Sequence, residues 1–120
     1  MEIGKTLYAV SRKTWRAWLA KHYKSAQDVW LIYYRKASGK PSLDYGAAVE
    51  EALCYGWIDS ITKSLDKERY AQRFAPRRSK SALSASNVER LNRLVARKKM
   101  TRAGLAAVAH AYVKPLKKAQ

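Results

Sequence analysis

Trp57, Asp59, Lys63, Arg69, Tyr70 and Arg73, followed by Arg77, Arg78, Ser79 and Ser81, are the residues of this chain best equipped for chemistry. Guanidinium forks, hydroxyls and free backbone amides in the Arg77-Arg78-Ser79-Lys80-Ser81 segment, just ahead of a helix, are the groups that hold phosphate or carboxylate. The competing reading is that Asp59 pairs with Lys63 or an arginine and braces a hairpin. Asp59 is the one residue here with the chemistry of a general base, but that role needs a substrate and a shifted pKa. No catalytic residue is therefore assigned.

Other chemistries are thinly supplied. His22 and His110 are the only histidines and Cys54 the only cysteine, so neither a Cys/His metal site nor a nucleophile–base pair is expected. Cys54 lies in an apolar helical stretch and reads as an inert core thiol. The Gly39-Lys40 pair lacks the spacing of a phosphate-binding P-loop, and no Gly-rich dinucleotide fingerprint occurs. No cofactor is expected.

Charge is the strongest compositional signal. Lys and Arg number 25 against 9 Asp and Glu, a formal net charge of +16 on 120 residues. Such a field attracts polyanions, nucleic acid included, although a solubility bias would leave the same mark. Tyr33, Tyr34 and Tyr70 would stack on bases if exposed, and otherwise belong to the core. No nucleic-acid-binding motif accompanies them. The helix carrying Arg90 to Lys99 has the charge for a membrane surface, but its apolar stripe is needed by the core.

Length predicts one domain, 1–120, with residues 114–120 as a loose tail. The longest uninterrupted apolar run, Val29 to Tyr34, is far short of the ~18–20 residues of a membrane span. Met1-Glu2-Ile3-Gly4-Lys5 lacks a secretory pattern, so a cytoplasmic location is expected.

The elements that must position these groups follow from periodicity. Leu7-Tyr8-Ala9-Val10 reads as a short edge strand. Trp15, Trp18, Leu19 and Tyr23 recur at helical spacing behind Ser11 or Thr14 as a cap. Val29 to Tyr34 is β-branched and aromatic, apolar on both faces, and predicts a central strand. A helix from Ser42 or Asp44 to Tyr55 would bury Tyr45, Val49, Ala52 and Leu53, point Glu50 and Glu51 outward, and end at Gly56. Residues 57–65 and 69–75 predict a hairpin about Asp66-Lys67-Glu68, with Trp57, Asp59, Ile61, Lys63 and Leu65 on one face. Two further helices follow, one behind Ser84 or Asn87 and one behind Thr101. The expected fold is α+β: a small, mainly antiparallel sheet packed with about four helices.

From Trp15 to Val108 the order of features resembles the bacterial bacteriocin-protection (YdeI or OmpD-associated) family. The carrying pieces are Trp15-Arg16-Ala17-Trp18-Leu19, Gly39-Lys40-Pro41-Ser42, and Ala48-Val49-Glu50-Glu51-Ala52-Leu53-Cys54-Tyr55-Gly56-Trp57-Ile58-Asp59. Tyr70 to Arg78, Asn87-Val88-Glu89-Arg90, Met100-Thr101 and Ala103-Gly104-Leu105 complete it. Two features depart from the family pattern: Ala82-Leu83 stands where a tryptophan often follows the Lys-Ser pair, and a Gly-Arg-Trp-like ending is absent. The resemblance implies a bacterial stress or envelope-defence setting and brings no agreed reaction. The expectation is a non-catalytic accessory domain that binds an anionic partner at the hairpin and the Arg77–Ser81 loop. The alternatives are a small-molecule enzyme or sensor using Asp59 and the same arginines on an acidic metabolite, and nonspecific nucleic-acid binding.

Overall fold

Ser11 opens the first helix as an N-cap, its hydroxyl accepting from the Thr14 amide. In the computed structural model, which describes residues 2–78 and 83–109, strand β1 is only Thr6–Leu7. Helix α1 (Arg12–His22), central strand β2 (Val29–Tyr34) and helix α2 (Tyr45–Cys54) follow. A hairpin of β3 (Trp57–Ser64) and β4 (Arg69–Pro76) comes next, then α3 (Ala85–Ala96) and α4 over residues 102–109. The expected residues 114–120 tail lies outside the described residues.

The sheet order is β1-β2-β4-β3, antiparallel except for the short parallel β1–β2 pairing. This is the α+β arrangement the periodicity predicts. Val29, Leu31 and Tyr33 of β2, with Phe74 and Trp57, pack against Trp15 and Leu19 of α1 and Ala48 and Ala52 of α2. The opposite face of β2 is also covered: Trp30 and Ile32 pack with Ala71, Ile3 and Leu65. Both faces of the central strand are dry, which is why its sequence does not alternate.

Helix α2 lies between the sheet and the α3–α4 pair. One side meets the sheet, while Leu53 and Cys54 pack with Leu91, Leu94, Val108 and Leu83. Leu83 is thus part of the core. Burial on both sides overturns the expectation that Glu50 and Glu51 point outward. Glu51 is 1% exposed and Glu50 9%, and both carboxylates are ion-paired. Tyr45 departs the other way: at the first turn of α2 it is largely exposed.

Gly56 ends α2 in the left-handed conformation, φ +76°, as its position predicts. A Cβ there would stand 2.7 Å from that of Ala107, so the turn also admits α4.

Candidate functional site

The hairpin forms, but it divides the residues predicted to work together. Asp59 pairs with Phe74, whereas Thr62 pairs with Gln72, so β3 carries a bulge between them. An extra residue reverses the alternation beyond it. Trp57, Asp59 and Tyr70 belong to the helix-packed face, while Lys63 pairs with Ala71 on the opposite one. The shared face expected for Asp59 and Lys63 is therefore corrected by the bulge. Arg69 and Arg73, opposite Tyr34 and Trp30, also lie on that second face. Arg69 pairs with Asp66 at 2.9 Å and Arg73 with Asp28 at 2.8 Å.

Trp57 is buried edge-to-face against Trp18, with its indole N–H unpartnered among the described residues. The Arg77 amide donates to the Gly56 carbonyl, closing the end of the hairpin, and Arg78 is exposed. Ser79 and Ser81 lie outside the described residues. Of the described residues among the ten, Trp57, Asp59 and Tyr70 take one face of the sheet and Lys63, Arg69 and Arg73 the other.

Asp59 is instead a brace. Its Oδ2 accepts from the Tyr45 hydroxyl at 3.1 Å and from Gln72 Nε2 at 3.2 Å. Gln72 Oε1 in turn accepts from the buried Tyr33 hydroxyl at 2.8 Å. Burial, reinforced by the neighbouring Tyr70 and Asp59, pushes the Tyr33 hydroxyl far above the ordinary phenol range. Burial, the Asp59 charge and the hydrogen bond to it raise Tyr45 as well. Both phenols stay neutral donors at physiological pH.

This brace backs a cavity of about 300 Å³ at the C-terminal end of β2. Its walls are Tyr34, Tyr45 and Tyr70, with Arg35, Lys36, Ser42, Leu43 and Asp44. Each ring already carries a cation of the chain itself: Arg35 over Tyr70 at 5.2 Å, Lys40 over Tyr34 at 5.1 Å, and Arg90 over Tyr45 at 6.0 Å. Tyr70 stacks on the Tyr33 ring, the two planes nearly parallel with centroids 5.0 Å apart. Arg35 is further fixed by Nη2 donating to the Ser64 hydroxyl at 3.1 Å. Ring and hydroxyl together pre-set a guanidinium that would otherwise lose rotamer freedom on binding. Among the described residues neither Arg35 nor Lys36 is ion-paired with a carboxylate, whereas Lys40 pairs with Glu68 at 3.1 Å. The Asp44 carboxylate caps α2 by accepting from the Ala47 amide.

Such a cavity suits a small anion better than a cation. The rings' attraction for positive charge is already met from within, while Arg35 and Lys36 still present N–H donors to the cavity. Of its walls, the sequence points to Tyr70 as a candidate anion-binding residue, to Tyr34 as a potential stacking ring, and to Asp44 as a helix cap. Arg35, Lys36 and Ser42 were missed as site residues. The available signal was Tyr34-Arg35-Lys36, an aromatic and two cations where a central strand ends, opposite a helix N-terminus.

Glu50 and Glu51 form the second polar centre. Glu51 Oε1 accepts from Arg16 and Oε2 from Arg12, both at 3.0 Å. Glu50 meets Arg12 at 3.0 Å and Arg93 at 2.7 Å. Three helices are joined through two carboxylates. Burial pushes the Glu50 carboxyl up, but hydrogen bonds and charge from Arg93 and Arg12 outweigh it and hold the group below its ordinary value. Burial likewise pushes the Cys54 thiol up, keeping it protonated and unreactive.

Among the described residues there is no His/Cys/Asp/Glu cluster able to hold a metal ion, and no helix is long and apolar enough to cross a membrane. No curated protein and no solved structure matches the chain. A family model, Domain of unknown function (DUF8412), matches residues 7–107, and the chain belongs to that family.

Proposed function

We propose that this chain is a non-catalytic accessory domain that binds a small organic anion in the Tyr34–Tyr70 cavity. The setting would be the bacterial stress or envelope defence implied by its resemblance to the bacteriocin-protection family. One observation carries the reading: two cations without carboxylate partners among the described residues, Arg35 and Lys36, line a 300 Å³ cavity, and Arg35 is pinned by a ring and a hydroxyl. That volume is at the small end of ligand cavities, so the fitting class is a compact carboxylate or phosphate ester. Asp44 and the tyrosine hydroxyls favour a ligand with its own hydroxyl or amide groups beside the acid. Asp59, with one oxygen engaged by both Tyr45 and Gln72, serves as the brace behind the site.

The test is thermal unfolding with inorganic phosphate, citrate and a set of hydroxy acids and sugar phosphates. A ligand at a hundredfold its Kd stabilises by about 2.7 kcal/mol. A saturable rise in Tm with one compound class is expected, reduced at least tenfold in affinity by Arg35→Gln with Lys36→Gln. An equal response in the folded double variant would remove the cavity from consideration. A response to heparin alone would favour the polyanion reading instead.

A further inference from the structure

The turn between α3 and α4 places four cations, Arg97, Lys98, Lys99 and Arg102, on an exposed corner of the molecule. Among the described residues none of the four is ion-paired, and residues 90–109 contain no acidic side chain. Two of them occupy positions that local energetics disfavour. Lys98 is the only described residue other than glycine with positive φ, +58°, at the point after a helix where glycine is the unstrained choice. Arg102 begins α4, whose N-terminal end repels positive charge. Arg16 of α1 reaches the same turn, donating to the Lys99 carbonyl at 2.8 Å, so the corner is held to the body of the protein.

We infer that this corner is a docking site for the phosphodiester backbone of double-stranded nucleic acid. Cations at an anchored turn, within a segment that holds no acidic residue, suit repeated phosphates. The large exposed apolar side chains of the described residues are Tyr8, Val10, Tyr45 and Ile61, and none lies in this turn. A membrane-surface site would present inserted apolar groups, and a single-strand site would present rings for stacking. The corner offers neither. Recognition here is electrostatic, independent of sequence, and separate from the tyrosine-lined cavity.

The experiment is fluorescence anisotropy with a random-sequence DNA duplex across a salt series, repeated with phosphatidylserine vesicles. The wild type should show log K falling against log salt with a slope of about −3 to −4, as for roughly four phosphate contacts. Arg97→Gln, Lys99→Gln and Arg102→Gln combined should flatten that slope by about three and weaken binding more than tenfold at low salt. Lys98→Gly supplies a second readout. It should raise Tm by roughly 4 °C by relieving the left-handed strain, while reducing the slope by about one. An unchanged slope in the folded triple variant would overturn the site. So would an unchanged slope in Lys98→Gly, or binding to vesicles and not to duplex.

Discussion

Glu51→Ala is expected to destabilise the protein by about 1.5–3 kcal/mol, as loss of a buried carboxylate hydrogen-bonded to charged partners does. The Glu51 side chain is 1% exposed, and its two oxygens are each claimed by a different arginine of α1. Deleting it removes one carboxylate partner from each arginine, leaving Arg12 with Glu50 and Arg16 with the Lys99 carbonyl. With typical domain stabilities of about 5–15 kcal/mol, a substantial part of the folded state's margin would go. Urea denaturation at neutral pH measures this directly. Glu50→Ala should cost less, because that side chain is 12% exposed. A Glu51→Ala change of under about 1 kcal/mol would show that the carboxylate is hydrated, not sealed between helices.

The same network sets an acid limit. The folded-state pKa of Glu50 lies below its ordinary value, so the unfolded chain binds more protons in the interval between the two. Stability from this group is complete above the ordinary glutamate range. It is lost as pH falls through the lower, folded-state value. Urea midpoints measured from neutral pH downward should therefore decline through the acidic range, and Glu50→Gln should blunt the decline. An identical pH profile in that variant would remove Glu50 as a source.

Gly104→Ala should be comparably damaging, by about 3 kcal/mol or more, for a steric reason. A Cβ at Gly104 would stand 2.2 Å from the Cys54 carbonyl oxygen and 2.9 Å from that of Leu53. Both are backbone atoms at the end of α2 and cannot swing aside. The Cys54 oxygen also accepts from the Thr101 amide at 3.0 Å and from the Thr101 hydroxyl at 2.6 Å. Thr101 in turn caps α4 by accepting from the Gly104 amide at 3.1 Å. One methyl group therefore opposes the bonds that seat α4. Hydrogen exchange should show residues 102–109 losing protection before the sheet does. Full protection of that helix in Gly104→Ala would mean that α4 docks less closely than the geometry requires.

Sequence determined the kinds of element and their order. Helical recurrence of Trp15, Trp18 and Leu19, the unbroken apolar run from Val29 to Tyr34, and Gly56 at the end of α2 are local signals, and each was realised locally. Tertiary structure alone decided which side chains meet. A bulge between Asp59 and Thr62 turned the outer half of β3 over, which no pattern of residue types announces, because pairing register is set across strands. Glu50 and Glu51 read as a solvated helix face until α2 proved to be enclosed by the sheet on one side and α3 and α4 on the other. The cavity joins residues from β2, the start of α2 and β4, brought together only by packing. Periodicity reports how a segment meets water on average. It cannot report what a distant segment places against it.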